Sequence, residues 1–167
     1  MALQRGRWTH QHEGGLSVFL IGMTVNKPWR PDQWLPVLAA MGPMLAELHR
    51  NPAWGFRGYR MGLSSRGPLL VQYWESTELL YAYASAARAS HRPAWSAFNR
   101  RARAAGGAVG IWHETFTVEP GAHESISVDC PVAGLAAATT AVPVAARTHT
   151  ARQRMQRLGG TGGGRTA

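Results

Sequence analysis

The pattern of apolar and polar positions predicts strands and helices along most of the chain. Leu16 to Val25 is apolar throughout, as is typical of a central strand covered on both faces. From Pro31 to Leu48, apolar residues recur at three- and four-residue steps, which predicts an amphipathic helix with a proline in its first turn. The Gly42-Pro43 step is expected to kink this helix, because proline removes a backbone donor and clashes with the preceding turn.

The second half of the pattern predicts two more strands, a broken helix and a further strand. The expected elements are a glycine-rich strand over 56–63, a hairpin turn, a strand over 69–74, a helix capped by Ser76 that breaks near Ser90 and restarts at Pro93, a strand over 109–118 and a short strand over 124–128. Strands 56–63 and 69–74 are expected to be antiparallel neighbours because only a short turn separates them.

The resulting β-α-β-β-α-β order predicts an α+β, ferredoxin-like sandwich. Right-handed crossovers place both helices on one face of the sheet. The opposite face must also bury its apolar side chains, and the sheet of a second subunit is the natural cover. The sequence therefore predicts a homodimer.

Composition shifts divide the chain into one domain with two tails. Residues 1–13 are polar and Gly14-Gly15 follows them, so a flexible N-terminal tail is expected there. The folded domain is predicted over 14–131. Residues 132–167 become rich in alanine, arginine and finally glycine, which predicts a tail that is partly packed and then disordered.

Composition and charge narrow the class of protein. Apolar residues make up 45% of the chain and charged residues 16%, which is typical of a folded protein. The longest apolar run is too short to cross a bilayer, no signal peptide is recognised, and Cys130 is the single cysteine, so a cytoplasmic protein without membrane contact is expected.

The net charge of +9 is concentrated at one end. Five arginines and no acidic residue lie in the last 21 residues. Such a tail can bind nucleic acid through counterion release, but a solvated tail is the favoured interpretation, and nucleic acid is not expected as a partner.

The motifs of the common catalytic families are absent. His113-Glu114 lacks the second histidine of a zinc protease motif, and neither a serine hydrolase elbow nor a dinucleotide fingerprint occurs. His10-x-His12-Glu13 is similar to a metal-ligand cluster, but it falls in the predicted tail. No metal site is therefore expected.

The second helix carries one candidate set of functional residues. His91, Trp95 and Asn99 recur at four-residue steps, which places them on one helix face if the helix continues across Pro93. A histidine can move a proton or ligate haem, an indole forms an apolar wall, and an asparagine can hold an oxyanion. The alternative is that Trp95 belongs to the core while His91 and Asn99 face solvent.

The strands carry a second candidate set. His113 and Glu114 point to opposite faces of strand 109–118, so only one of them can line a cavity between the sheet and the helices. Trp112 shares the face of Glu114, and Tyr73 and Trp74 are likewise on opposite faces of their strand. Ordinary packing is the alternative role for each of these residues.

Five segments read together resemble a known family. They are Phe19-Leu20-Ile21-Gly22-Met23, Asn26-Lys27-Pro28-Trp29 with Trp34-Leu35-Pro36, Gly67 to Trp74, His91 to Asn99, and Gly110 to Thr115. They resemble a bacterial and fungal monooxygenase-like family of the dimeric α/β-barrel superfamily, to which antibiotic-biosynthesis monooxygenases belong. The resemblance covers residues 14–131.

The resemblance implies a dimeric α/β barrel with a site between the helices and the sheet of each subunit. It implies a monooxygenase acting on an apolar conjugated or aromatic small molecule. Without a cofactor, the favoured case, His91 or His113 would act as base and Asn99 would position oxygen. The substrate-binding candidates are Trp95, Tyr73, Trp74, Trp112 and Glu114.

Two alternatives to this cofactor-free oxygenase stay open. In the first, the oxygenase binds haem through His91 or His113. In the second, the protein is a non-catalytic dimeric module that binds a small molecule or haem.

Overall fold

The computed structural model describes residues 3–86 and 93–159. Within these residues it contains two antiparallel sheets and five helices. The elements are β1 (Leu3–Gln11), β2 (Leu16–Val25), α1 (Pro31–Arg50), β3 (Phe56–Ser64), β4 (Gly67–Trp74), α2 (Thr77–Ala86), α3 (Pro93–Ala104), β5 (Val109–Val118), β6 (Ser127–Pro131), α4 (Leu135–Ala138), β7 (Thr140–Pro143) and α5 (Ala151–Gly159). A single 3₁₀ turn, Pro52–Trp54, precedes β3. None of the helices in the described residues combines the length and apolar character needed to span a bilayer.

The main sheet has the strand order β3-β4-β2-β5 and is antiparallel throughout. The order of β2, α1, β3, β4, α2, α3 and β5 along the chain is the predicted β-α-β-β-α-β order, with the second helix in two pieces. This arrangement confirms the α+β, ferredoxin-like fold. The predicted strands and helices of this domain match the observed ones to within a few residues.

The core lies between this sheet and its helices. Ile21 and Met23 of β2, Leu70 and Trp74 of β4, and Leu48 of α1 belong to one buried cluster. Since directly opposed residues of antiparallel strands share a face, the register assigns every second residue of each strand to the helix side. We call this side the helix face and the other side the outer face.

The helix boundaries follow local signals in the sequence. The backbone N–H of Leu79 donates to Ser76 Oγ at 3.2 Å, so Ser76 caps α2 as predicted. The structure describes α2 up to Ala86 and α3 from Pro93, and the predicted break near Ser90 lies outside the described residues. Helix α1 runs from Pro31 to Arg50 through Pro36 and Pro43, because packing of its apolar face on the sheet outweighs the two backbone hydrogen bonds that these prolines cannot donate.

The prediction of a flexible tail over residues 1–13 was wrong for residues 3–11. These residues form β1, the central strand of a second sheet ordered β6-β1-β7. The predicted strand over 124–128 lies at 127–131 and pairs with β1. A side-chain hydrogen bond also joins the two strands, since the Gly6 backbone N–H donates to Asp129 Oδ1 at 2.8 Å. The sequence of β1 has no apolar alternation, so its pairing with distant strands could not be recognised from the local pattern.

The segment after residue 131 packs through polar contacts as far as the structure describes it. Arg154 of α5 is only 6% exposed and forms an ion pair with Glu124. Its guanidinium also donates to the backbone carbonyls of Thr148 and His149. The interpretation of this segment as a solvated tail therefore does not hold for Arg154, because its charge is paired inside the protein.

Candidate active site between the sheet and the helices

A small apolar cavity lies between the helix face and helices α1 and α3. Its volume is about 10 Å³, which leaves room for about one water molecule. The described walls include Ile21 and Met23 from β2, Met41 and Met44 from α1, Phe98 from α3 and Ile111 from β5. Three methionines make these walls adaptable, because the unbranched thioether side chain has three rotatable bonds.

His113 lies on the helix face of β5, beside this cavity. It is directly opposite Ile21 on β2 and two residues from Ile111, and both of those residues line the cavity. The imidazole contacts the ring of Phe19, with 5.4 Å between ring centroids. His113 is exposed, and it is the only histidine on the four strands of the main sheet. Of the pair His113 and Glu114, the register thus places the histidine on the cavity side.

Trp112, Glu114 and Tyr73 lie on the outer face. Glu114 is opposite Leu20, and Trp112 is opposite Gly22, where the indole occupies the space that a Cβ would need. Tyr73 is half-buried, and burial raises the pKa of its hydroxyl above the usual value. Within one chain, these three predicted substrate-binding residues are therefore separated from His113 by the sheet.

Trp74 is part of the core and is completely buried. Its indole N–H donates to Gln72 Oε1 at 3.0 Å, and its ring packs against those of Phe56 and Tyr83 with centroids 5.3 and 5.4 Å away. The indole is thus satisfied inside the protein. This placement matches the packing alternative stated for Trp74.

The helical set is described only in part. Asn99 lies on α3, half-buried, directly after the cavity residue Phe98. His91 and the side chain of Trp95 lie outside the described residues. The predicted alignment of His91, Trp95 and Asn99 on one face accordingly stays a prediction.

A second, larger depression was not found from the sequence. It lies between α1 and the helix face of the edge strand β3, has a volume of about 380 Å³ and is open to solvent. We call it the α1–β3 groove. His49 and Tyr59 are its polar residues, with 5.7 Å between their ring centroids. Neither belonged to a recognisable motif, since His49 ends an ordinary amphipathic helix and Tyr59 sits in a strand pattern.

A buried histidine pair lies at the junction of the two sheets. His10 Nε2 and His123 Nδ1 are 2.8 Å apart, and His10 Nδ1 lies 2.8 Å from Ser125 Oγ. His123 Nε2 donates to the Gly14 carbonyl at 3.1 Å, so His123 Nδ1 carries no proton when the ring is neutral. It then accepts a hydrogen bond from His10 Nε2–H. The sequence placed His10 in a tail and did not connect it to His123.

The surroundings of His10 favour its neutral form. Burial, and then the neighbouring His123 and His12, lower the pKa of His10 from 6.5 to about 4. Among the residues that the structure describes, no group of three or more histidine, cysteine, aspartate or glutamate side chains is arranged to hold a metal ion. The hydrogen bonds of the pair connect β1 to the segment between β5 and β6.

The described residues do not form a haem pocket. The described lining of the cavity contains no histidine, and its space holds about one water molecule. His113 stands at its edge on an exposed strand. A haem iron needs an axial ligand directed into a cavity of macrocycle size, and these residues do not supply that arrangement.

A family model matches residues 16–135, which include the whole main sheet and helices α1 to α3. Its description is monooxygenase af470-like. The chain belongs to this family. The match confirms the family that the sequence segments resemble, and it ends before α5, so the last helix lies outside the conserved model.

The solved structures that this chain resembles include the following three. SnoaB from Streptomyces nogalater, a cofactor-independent oxygenase, is 15% identical, with a TM-score of 0.44 over 63% of this chain and 94% of that one. A Caulobacter crescentus protein described as an antibiotic biosynthesis monooxygenase is 14% identical, with a TM-score of 0.41 over 63% of this chain and 91% of that one. An anthrone oxidase-like protein is 24% identical, with a TM-score of 0.46 over 68% of this chain and 46% of that one.

A search of curated protein sequences found no match to this chain.

Proposed function

We propose that this member of the monooxygenase af470-like family is a cofactor-independent monooxygenase of an apolar, conjugated small molecule. The observation that carries the proposal is that His113 lies on the helix face of β5, opposite Ile21 and two residues from Ile111, which both line the apolar cavity. An imidazole is the side chain best suited to take a proton near neutral pH. The apolar walls supply a surface for a flat hydrocarbon ring.

The proposed reaction balances without a cofactor because the substrate supplies all the electrons. His113 removes a proton from a methylene carbon whose carbanion is stabilised by conjugation. The carbanion transfers one electron to dioxygen, and the resulting radical and superoxide combine through a new C–O bond. Protonation gives a hydroperoxide. It loses water as the O–O bond breaks and the second C–H proton leaves, so one methylene and one dioxygen yield one carbonyl and one water.

The protein contributes binding, proton transfer and exclusion of water in this scheme. The cavity is too small for an aromatic substrate as it stands, so the methionine side chains Met23, Met41 and Met44 must rearrange to admit one. Asn99 next to Phe98 is the candidate for holding the oxygen species, since an amide N–H stabilises a developing oxyanion.

The proposal includes a homodimer formed through the outer face. On this face, Phe116 is 50% exposed and Trp112 36% exposed in the single chain. Leu20 of β2 lies on the same face, between the residues opposite Phe116 and Trp112. A second copy of the sheet would cover these side chains. We expect sedimentation equilibrium to give twice the chain mass of 18.2 kDa, and a single-chain mass at micromolar concentration would contradict the dimer.

Isotope labelling tests the proposed reaction directly. The apo protein is incubated under ¹⁸O₂ with a panel of polycyclic aromatic compounds that carry a benzylic methylene, after removal of metals and with no added reductant. We expect one ¹⁸O atom in the product carbonyl and one dioxygen consumed per product. Binding of the same compounds without oxygen uptake would instead indicate a non-catalytic binding module.

A further inference from the structure

The α1–β3 groove has the composition of a ligand site rather than of ordinary surface. Its walls are largely apolar, and they include Leu38 and Leu45 from α1 and Met61 from β3. Met61 is 57% exposed and Tyr59 37%, so the groove presents large apolar side chains to solvent. Apolar pockets with few polar groups are typical of small-molecule sites.

His49 supplies one directed polar group in this groove. Its Nδ1 lies 2.8 Å from the backbone carbonyl of Leu45, which can only accept, so Nδ1 carries the proton. In the neutral ring, Nε2 is therefore a hydrogen-bond acceptor, and no described residue donates to it. Edge-on contacts with Phe56 and Tyr59, at centroid distances of 5.1 and 5.7 Å, hold the ring in place.

The groove adjoins the cavity beside His113 through one side chain. Met41 of α1 lines both the groove and the cavity, so its side chain lies between them. Rotation of the Met41 side chain would connect the two spaces. This continuity argues that the groove takes the same class of molecule as the cavity, an argument that rests on the proposed function.

We infer that the α1–β3 groove binds a flat aromatic molecule that bears a hydroxyl group, with the hydroxyl donating to His49 Nε2. A phenol matches both features, because its ring covers the apolar walls and its O–H is a good donor. The groove volume of about 380 Å³ accommodates two or three fused rings. His49 is thus a binding residue at the entrance to the cavity.

Binding of a defined probe pair tests this inference without any turnover. The probes are 2-naphthol and 2-methylnaphthalene, which share shape and differ in the donor. Affinities are measured at pH 8 by ligand fluorescence on the full chain. We expect 2-naphthol to bind more tightly, and the variant His49→Phe to weaken 2-naphthol about 5- to 10-fold while changing 2-methylnaphthalene less than 2-fold.

Two further variants make the result decisive. His49→Gln keeps an acceptor on a side chain of similar reach and is expected to recover most of the lost affinity, which separates a lost hydrogen bond from misfolding. His149→Phe makes the same chemical change at an exposed histidine outside the groove and is expected to leave binding of both probes unaltered. An equal effect of His49→Phe on both probes, or none on either, overturns the inference, whether or not oxygenation is observed.

Discussion

Replacing His113 with glutamine is expected to lower the turnover rate by about 10²- to 10⁴-fold, the usual contribution of a general base. Glutamine has nearly the size of histidine and keeps a polar group beside Phe19, but it cannot accept a proton at neutral pH. Deprotonation of the substrate is the step that starts electron transfer to dioxygen in the proposed scheme. Oxygen uptake under substrate saturation measures the effect.

The control for this variant is His149→Gln. His149 is exposed on the connection before α5, outside the residues matched by the family model. It should keep wild-type turnover, and circular dichroism should show both variants folded. Turnover of His113→Gln within about twofold of wild type would remove His113 as the base and leave His91 as the remaining candidate from the sequence.

The second large effect is on stability and follows from the buried pair His10 and His123. The pKa of His10 is about 4 in the folded chain against 6.5 for an unperturbed histidine. Between these values the unfolded chain binds more protons than the folded one, so the free energy of unfolding falls as pH decreases from 6.5 towards 4. The shift corresponds to about 2–3 kcal/mol across that window.

Urea unfolding at several pH values between 7 and 5 measures this dependence where few carboxylates titrate. The variant His10→Asn keeps an acceptor for Ser125 Oγ but cannot titrate, so its stability should vary less with pH than that of the wild type. The imidazole signal of His10 in NMR reports its pKa directly. A His10 pKa near 6.5, or equal pH slopes in the two proteins, would contradict the assignment.

The main domain was predictable because its elements carry strong local signals. The uninterrupted apolar run of β2 and the three- and four-residue spacing in α1 have direct counterparts in the core, where Ile21, Met23 and Leu48 are buried. Ser76 and Pro93 mark helix starts in the sequence and in the structure. The family could also be recognised from short segments of this domain.

The candidate site was predictable only by residue type. Strand periodicity separates His113 from Glu114, but it does not say which of them faces the helices, because that depends on how the sheet is covered. Trp74 illustrates the same limit. Its strand position fits a cavity wall as well as a core residue, and only the packed neighbours Gln72, Phe56 and Tyr83 decide for the core.

The segments that flank the main domain were mispredicted for a related reason. Strand β1 is made of polar and charged residues such as Arg5 and Arg7, so it has no apolar alternation to detect. It is held by pairing with strands more than 110 residues away in sequence and by the contact between His10 and His123, which are 113 residues apart. Interactions over such separations leave no local signature.

By itself the sequence determined the order of elements, the ferredoxin-like main domain and the membership of a monooxygenase family, because all three are encoded in local periodicity and short motifs. Tertiary structure alone decided which face of β5 meets the cavity, that α1 and β3 form a groove beside His49, and that two histidines distant in sequence form a hydrogen bond. Each of these depends on the register between elements that are far apart in the chain, and register is set by packing rather than by any single segment.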